Sequence, residues 1–196
     1  MGRCIEAKNN LHALQAKNST YQPLIDDELE GIEYLDFSIE RMRNMALEII
    51  ASDEALKQKL DNLTAAVGIG INSAIMIVCE LELLPEHLKS SQVSRFAGLD
   101  IRLTQSGTSI NKAGRLSKAG NAYLRTALFM PALSAATNDP NAKAFYQSLI
   151  LRGKKKMQAL CAVMRKMLTG IWACLKLNIP FDSSKLFSEE HKKACA

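Results

Sequence analysis

Residues 31–63 read GIEYLDFSIERMRNMALEIIASDEALKQKLDNL, and an apolar stripe runs through the whole segment. Its ten positions are spaced alternately by three and four residues, and nine of them are apolar. This spacing is typical of the seam of a coiled coil or a helical hairpin, so we expect residues 24–62 to pair with another helix. A helix packed on its own domain would give a similar stripe. The ten positions are Ile32, Leu35, Ile39, Met42, Ala46, Ile49, Asp53, Leu56, Leu60 and Leu63.

The one polar position of the stripe is Asp53, which lies between Ser52 and Glu54. A serine or aspartate followed by an acidic residue is typical of a helix start. We therefore predict that the long helix breaks here and that a second helix begins near Asp53. N-terminal to the stripe, residues 1–23 have no sustained periodicity and are predicted to be a loosely ordered lead-in.

Directly after the stripe, Gly68-Ile69-Gly70 precedes an apolar helix predicted over residues 74–84. This arrangement resembles the hairpin of helix-hairpin-helix DNA-binding modules. There Gly68 and Gly70 would let the turn approach a phosphate, and the next helix would offer unpaired N–H groups. A turn that simply joins two core helices explains the glycines equally well.

The rest of the sequence predicts helices over residues 91–97, 121–136, 141–151 and 154–177, with a kink at Pro131. Residues 99–120 are polar and rich in glycine and serine, which predicts a loop. No segment alternates apolar and polar residues convincingly enough to predict a strand. The expected fold is all-α: a coiled-coil helix or helical hairpin over 24–62, a compact helical domain over 63–180 and a poorly ordered tail over 181–196.

The composition is that of an ordinary globular protein, with 196 residues, 47% of them hydrophobic and 23% charged. It excludes collagen-like, low-complexity and wholly disordered chains. The sequence has neither an apolar run long enough for a transmembrane helix nor a signal peptide. Five widely spaced cysteines without a CxxC pair indicate reduced thiols in a cytoplasmic protein. His191 and Cys195 are too few to predict a metal site.

Charge is distributed unevenly along the chain. The formal net charge is +5, although residues 1–60 hold eleven acidic and only seven basic residues. Between Lys89 and Lys176 there are fifteen lysines and arginines, and the only acids are Asp100 and Asp139. So one-sided a charge favours a polyanionic partner such as nucleic acid.

Residues 104–125 combine hydroxyl groups, glycines and four cations. A loop of this kind binds phosphates through its backbone amides, its hydroxyl groups and its positive charge. A serine beside a glycine could also be a nucleophile, but a free hydroxyl needs a base or a metal nearby. The nearest histidine in sequence is His87, so a self-contained Ser-His-Asp hydrolase fits poorly. Phosphate binding is the favoured interpretation.

Five short motifs follow one another between residues 68 and 125. In this order they resemble the C-terminal domain of the bridge-RNA-guided serine transposases of bacterial insertion sequences, which are relatives of the Piv DNA invertase. The resemblance covers about residues 63–180, and the ordered set is far more specific than any single motif. The motifs are Gly68-Ile69-Gly70, Arg95-Phe96-Ala97-Gly98-Leu99, Gln105-Ser106-Gly107, Gly114-Arg115-Leu116-Ser117-Lys118-Ala119-Gly120-Asn121 and Leu124-Arg125.

The resemblance implies a serine that attacks a DNA phosphodiester and forms a covalent phosphoserine link. The matching residue is Ser106, with Ser109 and Ser117 as alternatives. The residues expected to contact DNA or RNA are Gly68, Gly70, Gln105, Gly107, Thr108, Ser109, Lys112, Arg115, Ser117, Lys118, Asn121 and Arg125.

In that family the acidic residues that bind Mg²⁺ belong to a separate N-terminal RuvC-like domain, joined through a coiled coil, and the composite site draws on two protomers. Here only about 30 residues precede the stripe, whereas such a domain needs roughly a hundred or more. We therefore expect that domain to be absent, this chain to hold no metal or other cofactor, and activity to need the acidic domain. The acids at residues 26, 27, 28 and 30 lie at a predicted helix start, where solvated acids are ordinary.

The sequence thus predicts the DNA-binding, serine-bearing C-terminal part of an insertion-sequence transposase, acting in DNA transposition or site-specific recombination. The expected partners are DNA, a structured guide RNA as a further candidate, and copies of the chain itself through the coiled coil. No membrane partner is expected, and the expected location is the bacterial cytoplasm, at the nucleoid. The alternative is a non-catalytic nucleic-acid-binding and dimerising helical module.

Overall fold

The computed structural model of the protein describes residues 2–17, 21–106 and 110–187, with the side chains of residues 103–113 left outside the description. The described residues form eight α-helices, one two-stranded sheet and a short 3-10 helix, so the predicted all-α class is confirmed. They divide into two compact units, residues 1–53 and residues 54–196. In chain order the elements are α1 (Gly2–Gln15), α2 (Gln22–Ala51), α3 (Glu54–Thr64), α4 (Ile71–Glu82), α5 (Ser90–Phe96), β1 (Ile101–Ser106), β2 (Ile110–Leu116), α6 (Ala122–Asn138), α7 (Pro140–Leu151), α8 (Lys156–Leu177) and the 3-10 turn Ser183–Lys185.

The first unit is a pair of helices, α1 and α2. The Sγ of Cys4 donates to Asp36 Oδ1 at 3.0 Å, and Lys8 Nζ lies 3.0 Å from Asp36 Oδ2. The hydrogen bond from Cys4, followed by that from Lys8, lowers the pKa of the Asp36 carboxyl. The prediction of a loosely ordered lead-in over 1–23 is therefore corrected, because Gly2–Gln15 is helical. The sequence of α1 has no clear apolar period of its own, so its helix depends on contacts with α2.

The apolar stripe continues from α2 into α3, and the helix breaks where the sequence predicts it. Helix α2 ends at Ala51 and α3 begins at Glu54, either side of Asp53. Helix α3 packs within the second unit, against α4 and α8, where Leu60 and Leu63 are buried. The predicted coiled-coil segment 24–62 thus supplies one helix to each unit.

The core of the second unit is built around α8. Leu160, Met164, Leu168, Ile171, Trp172 and Leu175 form its buried apolar stripe, while Met157 in the first turn is exposed. Trp172 is buried and its Nε1 donates to the carbonyl oxygen of Leu88 at 3.0 Å. Helix α8 packs against α5, α6 and α7. Pro131 lies inside α6, which runs without a break from Ala122 to Asn138.

The glycine turn joins α3 and α4, as the sequence predicts. Gly68 has φ +94°, a conformation that side chains rarely adopt. A Cβ at this position would lie 2.9 Å from the carbonyl oxygen of Pro131 and 3.0 Å from the nitrogen of Ala135. Gly68 therefore lets the turn lie directly on α6. Gly70 is exposed and forms the N-cap position of α4.

Residues 99–120 are not a plain loop, which corrects both that prediction and the expectation of no strand. Strands β1 and β2 pair antiparallel, with Ile101 opposite Leu116 and Ser106 opposite Ile110. The register shifts by one between Arg102 and Thr104, so β2 carries an extra residue there, in the stretch that contains Gly114. The physical reason is that two short strands close together in the sequence pair as a hairpin.

The end of the chain is ordered further than predicted. Phe187 is buried and its ring centroid lies 5.3 Å from that of Phe145. Lys166 Nζ donates to the carbonyl oxygen of Leu186 at 2.8 Å. These contacts hold residues 181–187 on α7 and α8, so the predicted tail 181–196 is corrected for that part; residues 188–196 lie outside the described residues.

Candidate nucleic-acid interface

The β-hairpin is fixed to the second unit by backbone hydrogen bonds at its base. Ser117 N–H donates to Asp100 O at 2.9 Å, and Lys118 N–H donates to Gly98 O at 3.1 Å. Asn121 N–H donates to the carbonyl oxygen of Phe96 at 2.7 Å. We name residues 95–100 and 117–121, together with Arg125, the hairpin root. Strands β1 and β2 are the hairpin arms.

At Gly120 the backbone of the hairpin root packs directly against the backbone of residues 96–98. A Cβ on Gly120 would meet the carbonyl oxygen of Phe96 far inside van der Waals contact, and would lie 2.9 Å from the nitrogen of Gly98. No other residue type fits without moving one of these backbones. The glycine of the Gly114–Asn121 motif thus serves to pack the chain against the end of α5.

Arg125 joins the two sides of the root. Its Nη1 donates to the carbonyl oxygens of Ala97 at 2.9 Å, Gly120 at 3.2 Å and Asn121 at 3.3 Å. A charged donor placed on the last carbonyls of a helix also interacts favourably with the helix dipole, and Ala97 is the C-cap of α5. We interpret Arg125 as a positioning residue for the hairpin; direct contact with nucleic acid stays a prediction.

Asn121 is similarly engaged with protein groups. Its Oδ1 accepts from Leu124 N–H at 2.9 Å, which caps the N-terminus of α6. Its Nδ2 donates to Glu80 Oε2 on α4. The amide oxygen and the amide nitrogen of Asn121 therefore both have protein partners. The predicted contact of Asn121 with a nucleic-acid backbone would have to form in addition to these two bonds.

The hairpin arms carry a different set of side chains. Arg102 and Arg115 lie directly opposite each other across the two strands, and both are exposed. Further out, Gln105 pairs with residue 111, Lys112 pairs with residue 104, and Ser106 is the last residue of β1. The side chains of Gln105, Ser106 and Lys112 are not described, and Gly107, Thr108 and Ser109 lie outside the described residues.

Lys118 belongs to the hairpin root, but its side chain is exposed and its φ is +53°. Burial raises the pKa of the Cys161 thiol, and the ammonium group of Lys118 opposes that rise. The charge of Lys118 is therefore close to the first turns of α8. Ser117, one of the alternative nucleophiles, accepts a hydrogen bond at its Oγ from Ala119 N–H at 3.2 Å, so its hydroxyl has a local structural contact.

The two acids in the basic span 89–176 are withdrawn from solvent. Asp139 is only 4% exposed and caps α7 through bonds to Asn141 N–H and Ala142 N–H. Asp100 is half-buried, and its Oδ1 is buried without a hydrogen-bond partner. No lysine or arginine whose side chain is described in this span forms an ion pair. Lysines and arginines therefore account for most of the exposed charge that the described side chains of residues 89–176 contribute.

The predicted residues fall into two groups in the structure. The first group contacts other parts of the protein: Gly68 packs on α6, and Ser117, Asn121 and Arg125 form hydrogen bonds. The second group, Arg115 and Lys118, is exposed. Gly70 has open space around its Cα, next to the N-terminus of α4. Sequence analysis missed Arg102, although Ile101, Arg102 and residues 103–104 do alternate apolar and polar side chains.

The described residues contain no group of three or more His, Cys, Asp or Glu side chains placed to hold a metal ion. None of their helices has the length and apolar character needed to cross a membrane.

Part of the chain is similar to a known family. Residues 60–147 match the transposase family described as Transposase IS116/IS110/IS902 family. The matched segment contains the glycine turn, the hairpin root and both hairpin arms. This segment is therefore similar to the transposase domains of the insertion-sequence class.

The relatives of the chain are consistent with this class. Pilin gene-inverting proteins of Moraxella bovis and Moraxella lacunata are each 29% identical to it over 154 residues, which is 78% of this chain and 48% of each relative. The insertion element IS110 uncharacterized 43.6 kDa protein of Streptomyces coelicolor is 27% identical over 121 residues, 62% of this chain and 30% of that protein. The chain spans about half the length of the Moraxella relatives.

Proposed function

We propose that this chain is the DNA-binding, serine-bearing part of a transposase or site-specific recombinase. The observation that carries the proposal is the match of residues 60–147 to a transposase family, because it includes the hairpin with the exposed cations Arg102, Arg115 and Lys118. The hairpin arms and Lys118 would hold the sugar-phosphate backbone of DNA. The hairpin root would keep the arms in place.

In the proposed reaction Ser106 is the nucleophile. Its Oγ forms a bond to the phosphorus of a DNA phosphodiester while one P–O ester bond of the strand breaks. The released strand end leaves as a hydroxyl, which takes up the proton lost by the serine. The proposal takes support from the place of Ser106 as the last residue of β1, at the opposite end of the hairpin arms from the root.

A serine hydroxyl needs a base or a metal ion nearby to act as a nucleophile. We propose that an acidic, Mg²⁺-binding domain provides it, either from another part of a longer protein or from another polypeptide. The proposed partners are DNA, a structured guide RNA and further copies of the chain, at the bacterial nucleoid. Assembly through α2 is supported by large apolar side chains that remain exposed on that helix within the first unit: Tyr34, Phe37, Met42, Met45 and Ile49.

Binding is tested by fluorescence anisotropy with a labelled duplex DNA at several salt concentrations. Affinity should fall steeply with salt, since phosphate contacts release counterions. An affinity that does not respond to salt, or no binding at all, would overturn the proposal.

The nucleophile is tested by trapping the covalent protein–DNA complex with the acidic domain supplied in trans. We expect the adduct with the wild-type chain and with Ser117→Ala, and none with Ser106→Ala. An adduct that persists in Ser106→Ala but disappears in Ser109→Ala would move the assignment to Ser109. Salt-dependent binding without an adduct from any variant would favour the non-catalytic binding module.

A further inference from the structure

Arg102 and Arg115 form a like-charged pair across the hairpin arms. Directly opposed residues of antiparallel strands have Cβ atoms about 5 Å apart and side chains on the same face of the sheet. The pair is the second one up from the base of the hairpin, next to Ile101 and Leu116. Two guanidinium groups in this position repel each other, which opposes pairing of the strands.

The repulsion is not balanced within the described part of the protein. Neither arginine has an ion pair or a hydrogen bond from its side chain to any described group. The nearest acid in sequence, Asp100, is half-buried at the root. Lys118 and Arg95, also exposed, add to the positive charge at this end of the hairpin.

We propose that Arg102 and Arg115 together bind one phosphate of a nucleic-acid backbone. A guanidinium group presents a planar fork of donors that matches phosphate oxygens. Two such groups converging from opposite strands can bind a single phosphate, and the phosphate charge removes the repulsion between them. Arginine side chains are long and the two Cβ atoms are close, so both guanidinium groups can reach the same phosphate.

This inference rests on the proposed function and adds a place for the DNA strand. Arg102 and Ser106 are four residues apart on β1, which corresponds to about 13 Å along a strand. The phosphate held by the arginine pair is therefore a different phosphate from the one that Ser106 attacks. The pair would hold the strand while its neighbouring segment reaches the end of the hairpin.

The test uses Arg102→Met, Arg115→Met and the double variant, with Lys143→Met on α7 as the charge-matched control. The probes are single-stranded DNA, duplex DNA and RNA of the same sequence, measured by fluorescence anisotropy over a salt series. Each arginine variant should bind DNA roughly tenfold more weakly, and each should reduce the salt slope by about 1. If both arginines hold one phosphate, the double variant should lose less than the product of the two single losses.

Stability separates phosphate binding from a structural role. The midpoint of urea unfolding should stay the same or rise in both single variants, because a repulsive pair is removed. Arginine variants that bind DNA like Lys143→Met, or that lose stability together with affinity, would overturn the inference while leaving the proposed function intact. A loss confined to the RNA probe would overturn the placement beside the strand that Ser106 attacks. A wild-type chain that binds none of the probes would overturn both proposals.

Discussion

The hairpin root and the hairpin arms carry similar residue types and use them in opposite ways. In the root, Arg125 donates to three carbonyl oxygens and Asn121 bonds to Glu80 and to a backbone amide. In the arms, Arg102 and Arg115 face each other without any partner among the described residues. Polar groups in the root therefore stabilise the fold, whereas the arginines of the arms are available for a ligand.

The difference teaches that a motif which resembles a nucleic-acid-binding loop can be mostly scaffold. Gly98, Gly120, Asn121 and Arg125 connect the end of α5 to the start of α6 and set the direction in which the hairpin leaves the unit. Substitutions of Gly120, Asn121 and Arg125 in the root should then lower stability, and substitutions in the arms should lower affinity. Lys118 is the exception in the root, because its side chain is exposed.

The largest expected loss of stability follows from the replacement of Gly120. Its replacement by alanine places a Cβ against the carbonyl oxygen of Phe96 and the nitrogen of Gly98, and should cost about 3 kcal/mol or more of unfolding free energy. Urea unfolding followed by circular dichroism measures the change. Gly70→Ala is the matched control, because nothing lies within 4 Å of the position its Cβ would take; its loss should be about 1 kcal/mol or less.

The second largest expected loss of stability follows from the replacement of Arg125. Arg125→Met removes a charged donor from three carbonyl oxygens and should cost about 2 kcal/mol. The control is Arg115→Met, an exposed arginine in the arms, which should change stability by less than about 0.5 kcal/mol. Equal losses in the two variants would erase the distinction between root and arms.

A smaller effect is expected at the start of α6. Asn121→Ala removes the N-cap bond to Leu124 and leaves Glu80 without its amide partner, and should cost about 1 kcal/mol. Asn121→Ser keeps an oxygen that can cap the helix and should recover most of that loss. If serine behaves like alanine, the bond to Glu80 rather than the cap is the stabilising contact.

The smallest expected change is at Lys118, where stability and affinity should move in opposite directions. Its φ of +53° is unfavourable for a side chain, so Lys118→Gly should raise stability by up to about 1 kcal/mol. The same change removes an exposed charge and should reduce the salt slope of DNA binding by about 1. A fall in stability would show that the lysine side chain has a structural contact with α8.

The helical part of this fold could be predicted from the sequence because its information is local. The alternating spacing of the stripe, the break at Asp53 and the apolar face of α8 all concern neighbours within one or two turns. The hairpin could not be predicted because three glycines and three serines interrupt residues 99–120, and the alternation at its start covers only four residues. Helix α1 was missed because it depends on α2 for its burial.

The candidate site was predictable only as a region. The exposed cations and the hydroxyl-rich stretch follow from composition, but the use of each residue depends on distant partners. Arg125 contacts Ala97, 28 residues earlier, and Asn121 contacts Glu80, 41 residues earlier. The opposition of Arg102 and Arg115 depends on a strand register that a one-residue bulge shifts. None of these relations can be derived from spacing alone.

The division between root and arms is tested most directly by the DNA affinity of Arg115→Met and Arg125→Met over a salt series. Both variants lose one arginine from the same motif region, and the measurement is made at a temperature where unfolding curves show both to be folded. We predict that Arg115→Met binds DNA roughly tenfold more weakly with a salt slope reduced by about 1, whereas Arg125→Met keeps the wild-type slope. A reduced slope in Arg125→Met together with a wild-type slope in Arg115→Met would contradict the account.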